Sequence, residues 1–387
     1  MMNHAFSDDD QRFMQRAIEL AKQGLYSVKP NPAVGCVLVK NGLILAEGWH
    51  KQAGLPHAER VALAEAAEQN VDVSGSTAYV TLEPCSHFGR TPPCADGLVE
   101  AGVSRVVIAM QDPNPLVAGK GIAKMQHSGI DVQVGLCEVD ARALNCGFIQ
   151  VMEKQLPYVR VKMASSLDGR SAMANGESQW ITGAESRQEV HKLRAMSGAI
   201  ITGIGTVLSD DPSLTVRLSD SVLEALNLNT VTYQPIRVVL DPSLNMPLDA
   251  KMLSAPGRTI LMTTKECIER DNSLVELLTA KGAEVVAVSG QNDRLDIESV
   301  LRYLAEVESI RDAMVESGAI LAGAFVQSGF VNELHCYIAP VLMGDMAKPM
   351  LALPGLEKMT DKLTFEIVTT EPFGQDIRLI LKPTKTN

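Results

Sequence analysis

The sequence predicts an α/β protein made of two consecutive domains, and three observations predict it. The chain has 387 residues, more than a single hydrophobic core usually serves. Short β-branched runs alternate with helical stretches, the pattern of a layered α/β domain. That alternation halts at Lys154-Gln155-Leu156-Pro157 and then begins again, which sets expected domains of 1–153 and 157–387.

Taken in order, Ser7-Asp8-Asp9-Asp10 reads as a helix N-cap followed by acids in the first turn. The helix carries Phe13, Ala17, Ile18, Leu20 and Ala21 and is expected to stop at Gly24. Lys29-Pro30-Asn31-Pro32 must be a loop, because proline prevents helix there. Cys36–Val39 and Leu43–Ala46 flank Lys40-Asn41-Gly42, a hairpin signal. Ala58–Glu68 reads as a helix, Thr77–Leu82 as a strand and Cys94–Ala101 as a short helix. Arg105–Ala109 and Val132–Val134 are further strands, and Val139–Met152 is a helical stretch. This order sets His57 and Glu59 at the start of one helix and Cys85 and Cys94 around the start of the next, so both positive helix ends can face one point.

Beyond Pro157 the expected strands are Tyr158–Met163, Ala199–Thr202, Arg237–Leu240, Ile260–Met262 and Val285–Val288. Ala313–Val315 is followed by a Ser317-Gly318 turn and a helix through Phe325, and strands close the chain near Leu334–Ala339 and Ile377–Leu381. Ser219–Gln234 is the expected mobile surface insertion.

With 46% hydrophobic and 21% charged residues, the composition can bury two cores. The net charge of −11 offers no chain-wide basic field to a nucleic-acid backbone. Seven cysteines, an odd number without framework spacing, fit a reducing cytoplasm better than a disulfide scaffold. Met1–Asp10 has no apolar signal core, and no uncharged run approaches the ~20 residues that span a bilayer. The expectations are a cytoplasmic location and neither nucleic acid nor membrane as partner.

His57-Ala58-Glu59, followed by Pro84-Cys85 and Cys94, lies close to the zinc-deaminase signature. The residue types suit the chemistry. One His and two Cys leave the fourth tetrahedral position of a zinc ion open for water, whose pKa the metal lowers toward neutrality. Glu59 can then carry a proton to a departing amine. Eight residues, Ser86–Pro93, separate the two cysteines where the signature has two. Each residue singly has a plainer reading, a buried thiol or a core histidine. His87 could supply a fourth ligand and close the site as a structural one.

In the second half, Gly203-Ile204-Gly205 matches the start of a dinucleotide fingerprint, but Leu208 stands at the third glycine and a tight turn after a strand explains it equally well. Gly318–Gly323 opens a helix without the Gly-Lys-Ser/Thr of a P-loop. Its backbone amides could hold a phosphate or pyrophosphate.

Several stretches together resemble the bifunctional riboflavin-biosynthesis deaminase/reductase family. They are Asn31–Gly35, His57–Glu59, Thr81–His87 continuing through Gly89–Cys94, and Asp112–Pro115. The long cysteine spacer is characteristic of that family. In the second half the matching residues are Lys162, Ala164–Arg170, Gly176–Thr182, Arg194, Thr206-Val207, Asp210–Arg217, Glu316 and the Gly318 turn. Ser317 stands where the family usually has Gly or Ala.

The resemblance implies a cytidine-deaminase-like three-layer domain followed by a dihydrofolate-reductase-like domain. It implies zinc-dependent deamination of 2,5-diamino-6-(5-phosphoribosylamino)pyrimidin-4-one, then NADPH reduction of the ribosyl group of 5-amino-6-(5-phosphoribosylamino)uracil to ribityl. By position, His57, Cys85 and Cys94 would hold one zinc per chain and Glu59 would be catalytic. Asn31, His50, His87, Arg90, Asp112 and Asn114 would contact the deaminase substrate, although Asn31 could form a turn and Asp112-Pro113 a plain loop. Lys162, Ser178, Arg194, Asp210, Leu214, Arg217 and Glu316 match reductase-substrate positions, and the guanidinium groups of Arg194 and Arg217 suit a phosphate. Ala164, Trp180, Thr206, Asp210 and Gly318 match NADPH positions, with Trp180 equally readable as a core anchor. The partners implied are small phosphoribosyl pyrimidines and further copies of the chain. Two rivals stand beside this reading: a nucleic-acid deaminase with an accessory domain, and a non-enzymatic protein stapled by zinc.

Overall fold

Ser7 starts the fold where the sequence places it. Its hydroxyl accepts the Asp10 amide proton and the Asp10 carboxylate accepts that of Ser7, a reciprocal cap on α1 (Asp8–Lys22). The computed structural model describes residues 6–86, 92–115, 117–228, 234–291 and 293–384. The chain forms two compact units, Met1–Gln155 with Glu224–Leu228 and Leu156–Leu223 with Asn229–Asn387.

In the first unit, β1 (Gly35–Lys40) and β2 (Leu43–Trp49) make the expected hairpin. Asn41 and Gly42 turn it with φ of 54° and 76°, the left-handed pair that such turns require. The elements α2 (Ala58–Glu68), β3 (Thr77–Val80), α3 (Cys94–Glu100), β4 (Arg105–Ile108), α4 (Lys120–His127) and β5 (Asp131–Val134) follow. The sheet order is β2-β1-β3-β4-β5, with β3, β4 and β5 parallel and β1 antiparallel to both neighbours. Strand alternation divides the core. Val37, Val39 and Val107 point to the α1 side, where Phe13, Met14 and Ala17 pack, while Cys36, Leu38, Val106 and Ile108 meet Ala62 of α2 and Leu98 of α3. The helices therefore lie on both faces of the sheet. Gly48 lets α2 close on β2, since a Cβ there would sit 2.3 Å from the Ala58 carbonyl oxygen.

The single helical stretch expected over Val139–Met152 is two helices, α5 (Glu138–Leu144) and α6 (Cys146–Lys154). The break has a polar cause. Asn145 is buried and uses its side-chain amide on the backbone of Ala33, accepting its N–H at 2.8 Å and donating to its carbonyl at 2.9 Å. That bond ties the Asn31–Ala33 loop to the helical layer.

The second unit comprises β6 (Tyr158–Ser166), β7 (Arg170–Ala172), α7 (Ala184–Met196), β8 (Ala199–Gly203), α8 (Ile204–Asp210), all of α9 (Asp220–Ala225) but Glu224 and Ala225, β9 (Ile236–Leu240), α10 (Lys251–Ser254), β10 (Thr259–Thr263), α11 (Lys265–Arg270), α12 (Asn272–Ala280), β11 (Ala283–Ala287), β12 (Gly290–Gln291), β13 (Arg294–Leu295), α13 (Ile297–Glu306), β14 (Asp312–Val315), α14 (Ala319–Ser328), β15 (Glu333–Ala339), β16 (Lys348–Pro349), β17 (Phe365–Phe373) and β18 (Asp376–Pro383). Its main sheet runs β11-β10-β9-β8-β14-β6-β15-β18-β17. The strands from β11 to β15 are parallel, and the β17–β18 hairpin closes the edge antiparallel. Each central strand again feeds two cores. Val238, Ile260 and Ala313 face one side, and Val239, Leu261 and Met314 the other.

The sequence missed β7, β12, β13, β16 and β17. Residues of β17 alternate between exposed and half-buried rather than forming an apolar run. The expected surface insertion Ser219–Gln234 contains the helix α9, and its residues 229–233 lie outside the described residues. Among the described residues, no helix is long and apolar enough to cross a membrane.

Asp10 does more than cap. Its carboxylate receives the Arg105 guanidinium at 2.7 and 3.2 Å and the Tyr79 hydroxyl at 2.7 Å, locking α1 to β3 and β4. Burial opposes ionisation, but the bonds from Arg105, Ser7 and Tyr79 outweigh it and hold the acid well below its ordinary value. A carboxylate with a depressed folded-state pKa adds stability above its unfolded pKa, near 4, and loses it as pH falls below that toward the folded value. Asp10→Ala should therefore lower the unfolding free energy of the first unit by about 2–3 kcal/mol at pH 7. The penalty should shrink steadily below pH ~4. Urea unfolding followed at Trp49, in a Trp180→Phe background so that one tryptophan reports, measures it; an equal penalty at pH 3 and pH 7 would refute the charge-pair account.

Candidate active sites

His57 stands at the N-cap of α2 and makes no side-chain cap there, so its ring is available to a ligand. Cys94 opens α3, and Cys85 follows the end of β3. The two sulfurs lie 3.6 Å (Cys85) and 3.4 Å (Cys94) from His57 Nδ1, and the Cys94 amide donates to Cys85 Sγ at 3.4 Å. All three ligand atoms fall within 4.8 Å of one another. A tetrahedral zinc ion with bonds of about 2.0–2.3 Å needs N···S edges of about 3.5 Å, so the donor set fits zinc in both chemistry and spacing.

Glu59, in the first turn of α2, is 3% exposed. Burial, and then the Cys85 thiolate, push its acid up to about 7. Its neighbours are strongly polarised. The Cys94 side chain, with help from His57 and the Cys94 amide, holds the Cys85 thiol far below its usual value, while the bond to Cys85 together with burial raises Cys94. The His57 ring is raised, first by its bond to Cys85.

Asn31 and His50 meet beside this cluster. Asn31 Nδ2 lies 3.0 Å from His50 Nε2, His50 Nδ1 lies 3.1 Å from the Pro56 carbonyl oxygen, and the His50 ring stands edge-on to His57 at 5.2 Å. His50 is 2% exposed, so its ring nitrogens serve the interior. Asp112 accepts the Asn114 amide proton at 2.8 Å, closing the turn after β4. His87 and Arg90 lie outside the described residues.

Sequence reasoning assigned no role to Glu83, two residues before Cys85. Its buried carboxylate accepts amide protons from Gly119 and Gly121 at 2.9 Å and from Asp112 and Ile122 at 3.3 Å. One side chain thus ties the Cys85 loop, the Asp112 turn and the start of α4 together. The available signal was an acid immediately before Pro-Cys at a strand end. Gly121 completes the fit, since a Cβ there would meet the Pro84 carbonyl oxygen at 2.0 Å. Arg60 Nη2 donates to the Pro93 carbonyl just before Cys94.

In the second unit, charged residues gather on one sheet face. Glu316 follows β14 and receives Arg194 Nε and Nη2, each at 2.9 Å, with Lys162 Nζ at 3.6 Å. Burial opposes that charge, but Arg194 and Lys162 bring the acid down to about 2. Arg194 Nη1 donates to the Thr215 carbonyl at 2.9 Å, so all three of its nitrogens are engaged. Arg217 is exposed, and among the described residues it has no carboxylate partner; its Nη1 donates to Thr215 Oγ1 at 3.1 Å. Leu214 places its side chain in the core at a φ of 48°. Ser178 lies half-buried ahead of α7, and Asp210 is exposed as the last residue of α8.

Gly318 caps α14 and donates its amide proton to Thr206 Oγ1 at 3.0 Å, which joins the starts of α8 and α14. A Cβ at Gly205 would meet nothing within 4 Å, and one at Gly318 would find only Thr206 Oγ1 at 3.8 Å. Open backbone at Gly205 and Gly318, after the parallel strands β8 and β14 and at the start of α14, fits a dinucleotide pyrophosphate. Ala164 lies on β6. Trp180 is 70% exposed under the Arg187 guanidinium, which excludes the core-anchor reading.

Comparison with known proteins agrees with this geometry. The family model described as RibD C-terminal domain matches residues 157–379. The model described as cytidine and deoxycytidylate deaminase zinc-binding region matches residues 7–110. The riboflavin biosynthesis protein RibD of Escherichia coli (strain K12) is 45% identical over 374 residues, covering 96% of this chain and 99% of that protein. Acinetobacter baumannii RibD superposes with a TM-score of 0.87 at 46% identity, over 97% of this chain and 99% of that one. A Thermotoga maritima protein described as a diaminohydroxyphosphoribosylaminopyrimidine deaminase/5-amino-6-(5-phosphoribosylamino)uracil reductase superposes at 0.83 with 35% identity, over the same shares. The fold is the expected one, a cytidine-deaminase-like three-layer domain followed by a dihydrofolate-reductase-like domain. With a family model over more than half its length and relatives matched end to end, this chain belongs to the RibD family of bifunctional riboflavin-biosynthesis proteins.

Proposed function

We propose that the chain catalyses two reactions of riboflavin biosynthesis in sequence. The first removes the 2-amino group of 2,5-diamino-6-(5-phosphoribosylamino)pyrimidin-4-one. The second reduces the ribosyl group of 5-amino-6-(5-phosphoribosylamino)uracil to ribityl with NADPH. The observation that carries the reading is the trio His57, Cys85 and Cys94 around one point with the buried acid Glu59 beside it, in a chain whose relatives continue into a matched second unit. Residues 1–153 form the deaminase domain and residues 157–387 the reductase domain. A nucleic-acid deaminase would share the first site, but the family match across the second unit and the net charge of −11 weigh against it.

In the first site, His57, Cys85 and Cys94 would hold one zinc ion per chain. When bound, the metal supplies a hydroxide at neutral pH. Glu59 takes the proton released from water on its carboxylate and returns it to the departing amine, which leaves as ammonia. A carboxylate whose proton affinity lies near neutrality can do both. Asn31, His50, His87, Arg90, Asp112 and Asn114 orient the pyrimidine, with His50 acting through Asn31.

In the second site, Lys162, Ser178, Arg194, Asp210, Leu214, Arg217 and Glu316 surround the phosphoribosyl compound. Ala164, Trp180, Thr206, Asp210 and Gly318 hold NADPH, whose chemistry is hydride donation. Arg217, which has no carboxylate partner among the described residues, is the phosphate clamp. The enzyme works in the cytoplasm as a homo-oligomer.

Purified chain should carry about one zinc per polypeptide, because three ligands leave only the water position open. Cys94→Ser should lose it; elemental analysis showing undiminished zinc would remove Cys94 from the ligand set. Glu59→Gln should fold and keep its zinc while ammonia release slows by ~10²–10⁴, since the amide cannot accept the proton. A wild-type deamination rate in that variant would refute the shuttle. The activities should separate. Glu59→Gln should still reduce the already deaminated compound, whereas Arg217→Ala should spare ammonia release and raise the reductase KM by about tenfold or more, the scale of a lost charged hydrogen bond. Loss of both activities in well-folded Glu59→Gln protein would overturn the independence of the two sites.

A further inference from the structure

We infer that His191 is a positioning residue that presents Arg217 to an anion by holding its main chain. The inference rests on the reading of Arg217 as the phosphate clamp of the reductase site. Thr215–Arg217 has no regular secondary structure, so no ladder satisfies its backbone. Side chains do that instead. The Val216 amide donates to Gln234 Oε1 at 2.8 Å and its carbonyl accepts from Gln234 Nε2 at 3.3 Å. The Thr215 carbonyl accepts Arg194 Nη1, and the Arg217 amide donates to His191 Nδ1 at 3.2 Å.

His191 and Arg194 are one turn apart on α7 and grip the segment at two successive points. A backbone N–H can only donate. His191 Nδ1 must therefore be an unprotonated acceptor, and the ring's proton sits on Nε2. The surroundings keep it so. Burial and the guanidinium groups of Arg194 and Arg217 bring the ring down to about 4, against the weaker pull of Glu316 and the Thr215 carbonyl. With Arg194 fully engaged by Glu316 and Thr215, Arg217 is the guanidinium left for a ligand. Its aim depends on where its own backbone is held.

Steady-state reduction by the full-length chain tests this. His191→Phe keeps the ring's bulk and removes the acceptor; His191→Asn keeps an acceptor at the same position along the side chain. His191→Phe should raise KM for the phosphorylated substrate by about threefold to tenfold, the size of one hydrogen bond. Its kcat, its KM for NADPH and its ammonia release should be unchanged, and inhibition by inorganic phosphate should weaken in parallel. His191→Asn should return close to wild type. If His191→Phe yields too little folded protein, His191→Ala is measured against His191→Asn in the same way. Arg217→Ala serves as the reference. Should it raise KM while the His191 variants lacking an acceptor do not, the positioning role is wrong and the phosphate clamp stands. Equal losses of kcat and of NADPH binding in the Phe and Asn variants would also overturn the proposal, since they would mark a general packing role. If Arg217→Ala leaves KM untouched, the clamp itself falls.

Discussion

Parallel strands deliver their carboxyl ends to a single edge, and the helices that follow begin there with N–H groups that have no helical partner. Both units are organised by this constraint. In the first, β3 and β4 bring the Cys85 loop and the Asp112 turn to the edge where α2 and α3 begin with His57 and Cys94. In the second, β8 and β14 bring Thr206 and Gly318 together at the starts of α8 and α14. Residues far apart in sequence meet because the strands before them run the same way, and the positive helix ends set the sign of the ligand they suit.

Burying a carboxylate is costly unless its charge is met, and two buried acids and one half-buried one meet that cost differently. Glu83 collects four backbone amides and becomes a mechanical joint between three loops. Glu316 is matched by Arg194 and Lys162 and stays firmly ionised. Glu59 lies against thiols, one of them a thiolate, and is driven toward protonation instead. A joint, a fixed charge and an acid poised near neutrality therefore arise from one functional group in three environments. The same logic separates two guanidinium groups that the sequence could not tell apart. Arg194 is consumed by Glu316 and Thr215, whereas Arg217 keeps its charge available to a ligand.

Much of this was legible beforehand. The hairpin at Asn41-Gly42, the capped start of α1 and the apolar strands of both sheets follow from local rules, because each depends on neighbours within a few residues. His57, Glu59, Cys85 and Cys94 stood out since metal and proton chemistry restricts residue type and spacing. The break at Asn145 did not stand out. Its cause is a bond to Ala33, 112 positions away. For the same reason β17 escaped notice, its strand character coming from pairing with β18 rather than from an apolar run.

The sequence by itself determined the class of fold and set the expectations of a division at Lys154–Pro157 and of His57, Cys85 and Cys94 as zinc ligands. Those properties are carried by residue type, periodicity and short spacing. Only the tertiary structure decided that Trp180 lies at the surface, that His50 serves Asn31, that Glu83 anchors the cysteine loop and that His191 holds the backbone of Arg217. Each of these depends on which distant backbone group a polar side chain reaches. Hydrogen bonds form between whatever atoms packing brings within about 3 Å of one another, and no local pattern in the chain encodes that.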